Sequence, residues 1–444
     1  MTKARIFHAR VDEFWRKGQK YNYLNEGQSV GNIEWQEIQP DAKHNWMTEG
    51  MHDDYATFLP IGTKEARQGK SLNPETIFKL FSTGLMTGRD AIVYDFNRDH
   101  LLKRIEQFCD EYNGEVSRYQ QKGKPKDIDS FLKYDRIKWS RNLKRDLQND
   151  KLITVNESNL RIGAYRPFTK QHLYFADSIV DELGKNKNFF PTIGTEKENR
   201  LICITSPGSE KPFVAILSNN IPDLHLSSPG TGAQGFPFYT YDEDGTNRRE
   251  NITDWALEKF RAEYADESIT KWDIFYYVYA VLHHPFYRER YAANLKRELP
   301  RIPFAPDFRA FAEAGARLAD IHVNYERQPE YPLERIENPE ARLDWRVLKM
   351  RLGKDRSHII YNDFLTLARV PTEAFEYRLG NRSALDWVID QYRVTTDKRS
   401  GITNDPNRPD DPQYIVRLVA QVITVSLETV RLVQSLPDMG ISTA

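Results

Sequence analysis

A chain of 444 residues that is 39% hydrophobic and 29% charged, with 23 Tyr, 23 Phe and 8 Trp, has core formers for two or three domains and is neither a disordered tail nor a lone small module. Its 63 Lys and Arg nearly cancel 64 Asp and Glu, so no global basicity argues for a nucleic-acid partner and any basic face is local. Two cysteines, Cys109 and Cys203, are too few for a disulfide framework or a thiolate zinc site, and the longest apolar run, Ile274 to Leu282, falls well short of the roughly 18 residues a membrane span needs.

With no secretory h-region at its start, the chain reads as soluble and cytoplasmic. Phe7, Val11, Phe14 and Trp15 recur at helical spacing, as do Leu101, Ile105, Phe108, Tyr112, Val116 and Tyr119 over a longer run, and both stripes are expected in the core. From Pro191 to Pro237, six prolines and five glycines in 47 positions interrupt short β-rich runs such as LICIT and FVAIL, predicting strands and loops. Helical patterns return from Ile252 to about Leu318, with a break at His283 to Pro285, because the residue before a proline avoids the α region.

QPEYPLERIENPEAR, from Gln328 to Arg342, reads as a proline-punctuated linker, followed by short strands in WRVLKMRL and HIIYNDFLTLARV. Pro371 suits a first helical turn, Ser383 caps ALDWVIDQY, and Tyr414 to Leu436 is a long apolar-periodic helix. The fold class expected is mixed α and β (α+β). A helix-rich part spans 1–150, a strand-and-loop part 151–250, and a mostly helical part 251–444 with short strands near 345–370.

Most chemical motifs fail on context. GTGAQG (Gly230 to Gly235) has the GxGxxG spelling of a pyrophosphate loop, yet it follows SSP and runs into FPFYTYD rather than linking a strand to a helix. NDPN (Asn404 to Asn407) resembles the amine-holding loop of amino-methyltransferases but lacks its second proline and its stacking aromatic, so a turn is the better reading. Asp223 and His225 could share a strand face but have no third metal ligand at useful spacing, and adjacent His283 and His284 point about 100° apart on a helix. No nuclease triplet, GxSxG or P-loop is present.

Three basic clusters survive. Arg136, Lys138, Arg141, Lys144 and Arg145 lie within ten positions, and on a helix Lys138, Arg141 and Arg145 would follow a phosphate backbone along one side. Arg288, Arg290, Lys296, Arg297 and Arg301 form the second, against Glu289 and Glu298. Lys398, Arg399 and Arg408 occupy a turn-rich loop able to enter a groove. Taken together in a neutral chain, they point to an anionic partner.

A resemblance sharpens this. FSTGLMTGRDAIVYDF (81–96), YRPFTKQHLYF (165–175) and GSEKPF (208–213) are followed in order by IPDLHL, ENITDWALEKFR, SITKWDIFYYVYAVLHHPFYRERYAANLKRELPRIPF and EYRLGNRSALDWVIDQYRVTTDKRSGITNDPN. These blocks closely resemble the carboxyl-terminal part of type ISP restriction-modification enzymes, from near residue 5 to near 435. Family members look like a nuclease, an ATP-driven translocase, an adenine-N6 methyltransferase and a target-recognition region joined in that order, and this chain resembles only the last.

The resemblance implies a DNA target-recognition region with no catalytic residue, metal or cofactor of its own. S-adenosylmethionine, ATP and Mg would belong to other domains, and the partners would be double-stranded DNA and the methyltransferase and motor, with no membrane. Two other readings stand beside it: a methyltransferase using NDPN, and a scaffold that braces the methyltransferase and motor without touching DNA.

A specificity region varies where it reads, so the family-like blocks are poor places for base contacts. Tyr165, Phe168, Trp387 and Ile389 are expected to pack, and Arg166 and Arg382 to form ion pairs or touch phosphate. QQKGKPKDIDSF (120–131) and RVLKMRLGKDRSHIIYND (346–363) do not resemble the family, and Lys349, Arg351, Lys354 and Arg356 are the base-reading candidates.

Overall fold

Where apolar residues recur every three or four positions, the chain is helical. The computed structural model describes all residues except 1–3, 13–14, 41–43, 45, 47, 69–72, 136, 228–229, 231 and 443–444. Helices make up 38% of the described residues and stand among several small sheets, a mixed α+β fold.

The chain divides into two compact units, Met1–His52 and Asp53–Ala444. In the first, strand Ile6–His8 pairs antiparallel with Gln36–Ile38, beside helix Lys17–Gly27, which buries no residue. The helical stripe expected through Phe7 is therefore wrong: Phe7 sits in a strand and is exposed, and Phe14 lies outside the described residues. Four apolar residues at the right spacing did not outweigh the sheet pairing available to Ile6–His8.

In the larger unit, the expected stripe from Leu101 to Tyr119 is buried along helix Arg98–Gln121, started by Asn97, whose side chain accepts from the backbone N–H of Asp99 and His100. This helix packs on a four-stranded sheet ordered Ile221–Pro222, Leu160–Arg166, Thr169–Tyr174, Tyr94–Asp95, with only the Ile221–Pro222 pairing parallel. An ion pair from Arg104 to Asp95 locks helix to sheet.

A second, antiparallel sheet runs Ser82–Thr83, Ala233–Pro237, Leu201–Thr205, Ala215–Ser218, as the β-rich runs predicted. Gly84 follows its edge strand, where a Cβ would collide with the backbone of Asp223. That close approach lays the segment 84–92 beside Asp223–His225.

Helices Lys271–Val281 and Phe308–Val323 cross with almost no gap, since a Cβ on Gly315 would strike the carbonyl of Tyr276. Buried between them, His322 links both to the long helix Tyr414–Gln434. Thr429 Oγ1 donates to the Val425 carbonyl at 2.7 Å and so accepts from His322 Nε2–H at 2.8 Å, which leaves Nδ1 to accept the Tyr279 hydroxyl at 2.6 Å. Burial pushes the imidazole down to about 3 and keeps His322 neutral. The break at His283 to Pro285 stands as expected, with helix Pro285–Arg290 beginning at the proline.

The presumed linker is part of a sheet. Glu334–Glu337 is the edge strand of an antiparallel sheet ordered Glu334–Glu337, Leu365–Ala368, His358–Ile360, Arg351–Leu352. All four of its residues are exposed, so it carries none of the alternation that marks a strand. Of WRVLKMRL only Arg351–Leu352 is strand, whereas Ser383 caps helix Ala384–Gln391 with a capping box, as expected.

Candidate nucleic-acid interface

Residues 341–350 form an irregular loop whose backbone is held by side chains. Tyr361 Oη donates to the Trp345 carbonyl at 2.8 Å, and Asn362 Nδ2 donates to the carbonyls of Asp344 and Arg346 at 2.8 and 2.9 Å. Asn407 both accepts from the Val347 N–H and donates to its carbonyl, each at 2.8 Å. The loop needs these partners because it has no ladder of its own.

Together with Arg351 and residues 360–364 it lines a groove of about 910 Å³. Arg342, Lys349 and Arg351 are exposed there with no ion-pair partner among the described residues, while Arg346 is held by Asp405 at 2.5 Å. The carboxylates lining the groove are Asp344 and Asp363.

A short hairpin, Thr395–Thr396 paired with Thr403–Asn404, leaves from this groove. Its root is tied down, Val394 N–H donating to the Leu348 carbonyl at 3.0 Å and Asn404 bridging Gln171 and the Phe96 N–H, each at 3.0 Å. At its tip Asp397 accepts from the Ser400 hydroxyl and N–H at 2.7 and 2.8 Å, which holds its carboxyl below the usual range. Gly401 completes the turn at φ 69°, in the left-handed region. Lys398 and Arg399 are thereby exposed on an ordered tip, and Arg399 reaches across to the Tyr134 carbonyl at 3.1 Å.

That contact brings two sequence-distant clusters together. Beneath the tip is a cavity of about 420 Å³ lined by residues 85–92, Lys138, Asp223–His225 and Asp397, Arg399 and Ser400. A second of about 560 Å³ carries His100, Lys103 and Arg399. Below the first, Arg166 pairs with Asp223 at 2.8 Å, and burial pushes the Asp223 carboxyl up to about 6 despite that partner. Among the described residues no cluster of three or more His, Cys, Asp or Glu is placed to hold a metal ion.

The sequence-predicted cations separate sharply. Lys138 and Arg141 are exposed without an ion-pair partner among the described residues, and Arg145 is exposed with Asp146 at 3.7 Å. Lys144 is engaged by Asp129 at 2.5 Å and lies over the Tyr134 ring. The expected single helical stripe is a correction: the helix is only Arg141–Gln148, capped by Ser140, so Lys138 lies in the preceding extended segment. Arg136 lies outside the described residues.

In the second cluster Arg288 turns inward. Its Nε donates to the Leu282 carbonyl at 2.6 Å, its Nη2 is closed off from solvent, and burial lowers its pKa. The Arg288 guanidinium is thus committed to the protein interior in a helix that starts at Pro285, which leaves it less free for phosphate than its exposed neighbours Lys296 and Arg297. Arg290 is paired with Asp54 at 3.1 Å, Arg301 donates to the carbonyls of Ala56 and Phe58, and Lys296 and Arg297 are exposed.

Of the base-reading candidates, Lys349, Arg351 and Lys354 are exposed and unpaired among the described residues. Arg356, at φ 61°, is occupied by Asp386 at 3.1 Å and by the Phe375 ring. Arg408 lies flat over Tyr414, Arg166 pairs with Asp223, and Arg382 pairs with Asp390 at 2.7 Å. Phe168 and Trp387 are buried, and Tyr165 and Ile389 pack at the core edge. Sequence reasoning missed Arg342 and Lys103, which lie outside the three basic clusters, and the loop-holding work of Asn362 and Asn407.

Residues 76–418 match the model of the Type ISP C-terminal specificity domain. No curated protein sequence matches the chain. Among solved structures, it is similar to a nuclease-deletion mutant of the Type ISP restriction-modification enzyme LlaGI in complex with a DNA substrate mimic, at 32% identity and TM-score 0.84. It is also similar to the DrdV–DNA complex, at 35% and 0.86, and to the ATP-dependent Type ISP restriction-modification enzyme LlaBIII bound to DNA, at 29% and 0.85. These similarities cover 99%, 98% and 99% of this chain but only 39%, 43% and 28% of those chains, so it spans less than half of each.

Proposed function

The chain belongs to the Type ISP C-terminal specificity domain family, and from that membership we propose that it binds double-stranded DNA at an asymmetric site and positions it for other domains of a restriction-modification enzyme. The observation that carries this reading is the set of exposed cations with no ion-pair partner among the described residues, from Arg342, Lys349 and Arg351, along the hairpin to Lys398 and Arg399, and on to Lys138 and Arg141. Phosphate contacts fix register, and arginine or lysine forks at base edges supply discrimination.

Adenine-N6 methylation, ATP-driven translocation and cleavage belong, in this proposal, to the methyltransferase, motor and nuclease parts of a longer enzyme. S-adenosylmethionine, ATP and Mg would be held there. A cytoplasmic location fits that role; among the described residues no helix is long and apolar enough to cross a membrane.

The test is fluorescence anisotropy of the chain with a mixed-sequence duplex at several salt concentrations. The proposal expects log affinity to fall linearly with log salt, since each neutralised phosphate releases counterions. Absence of binding at low salt by the chain and by the full-length enzyme would overturn it.

A further inference from the structure

We propose that Leu343 and Leu348 form an apolar wedge that enters the duplex between base steps, so that this domain reads DNA partly through how easily a step opens. The inference rests on the DNA-binding reading and adds a mechanism of discrimination to it.

The loop sorts its apolar side chains in two directions. Val347 is fully buried and Trp345 packs edge-on against Phe364, with ring centroids 5.7 Å apart, whereas Leu343 and Leu348 are 62% and 64% exposed. A single exposed leucine is ordinary on any surface. Here two flank one groove, and each adjoins in sequence an exposed, unpaired cation, Arg342 before Leu343 and Lys349 after Leu348.

The backbone between them is fixed by the hydrogen bonds of Tyr361, Asn362 and Asn407, and the Leu348 carbonyl by Val394 N–H. A leucine on a pre-ordered backbone loses little further freedom on insertion, and a cation beside it supplies a phosphate contact at the same step. Charge favours the occupant: the exposed cations of the groove, Arg342, Lys349 and Arg351, outnumber its carboxylates, Asp344 and Asp363, which fits a polyanion. Apolar wedges of this type partly unstack a base step and kink the duplex. The resulting preference for flexible steps is specificity at positions no side chain needs to contact.

The experiment uses the full 444-residue chain and duplexes that it recovers from a randomised pool, remade with 2-aminopurine at successive positions. Unstacking raises 2-aminopurine emission. The wild-type chain should raise it at one or two adjacent steps. The L343A/L348A variant should lose that rise, with affinity for the recovered duplexes about tenfold weaker and the salt slope unchanged, while L343M/L348M restores the rise.

A rise that persists in L343A/L348A, or no rise at any position under wild-type binding, overturns the wedge and leaves DNA binding standing. Failure of the wild-type chain to recover any duplex overturns the wedge as a property of this domain, and the DNA-binding reading falls with it when the full-length enzyme also fails to bind. Because both leucines are exposed, equal thermal melting of the variants separates these outcomes from misfolding.

Discussion

Two segments of similar cation content, 285–301 and 342–356, differ in how many of their cations the fold engages. In the first, the Arg288 guanidinium is turned inward, Arg290 is spent on Asp54 and Arg301 on two backbone carbonyls, which leaves Lys296 and Arg297 exposed. In the second, Arg342, Lys349, Arg351 and Lys354 face solvent without ion-pair partners among the described residues, on a backbone held from beneath. The difference teaches that a basic cluster reports on binding only after the elements beneath it have claimed the cations they need.

The largest effect should come from the packed side. Gly315→Ala drives a methyl into the Tyr276 carbonyl, and separation of the two helices should cost about 3 kcal/mol or more, read as a large fall in unfolding midpoint. A binding interface should show no such intolerance.

The packed side should also respond to acid. His322 is held near 3 in the fold and is ordinary when unfolded, so below about pH 6.5 the unfolded chain takes up a proton that the fold refuses. Stability is then lost as pH falls through that range, by about 1 kcal/mol per pH unit, and buried His283 is shifted the same way. Denaturant midpoints at pH 7.5 and 5.5 should show this loss, and His322→Gln should reduce it, leaving the share of His283.

On the open side, Asn407→Ala leaves the Val347 N–H and carbonyl without their partner and should cost about 1 to 3 kcal/mol, while binding weakens because the loop loses its shape. The smallest effect on folding comes from Lys349→Gln and Arg351→Gln, each within about 0.5 kcal/mol in stability. In titrations against a panel of duplexes, loss of a base contact relaxes one position, whereas loss of a phosphate contact weakens all duplexes alike.

Much of the architecture was legible because burial imposes a period. The stripe from Leu101 to Tyr119, the Ser383 cap and the helix from Tyr414 all lie where apolar spacing and capping chemistry put them. Strand Glu334–Glu337 was invisible because both its faces meet solvent, and the Phe7 spacing was helical by coincidence in a strand. The interface was legible as cation clusters but not as a surface.

Nothing local distinguishes Arg288 from Arg351, since inward or outward direction is set by packing partners far away in sequence. Asn404–Asn407 was readable as a turn, yet its work as a brace depends on Val347, 60 positions upstream, and on Gln171.

The central claim is that the exposed cations on both sides of the hairpin meet phosphate. It is tested most directly by the salt slope of duplex binding for a variant in which Lys138, Lys349, Arg351 and Arg399 are all changed to glutamine. The prediction is a slope shallower by about three to four, close to one per removed phosphate contact, with an unchanged melting temperature. An unchanged slope in a folded variant would contradict the account and move the interface elsewhere on the domain.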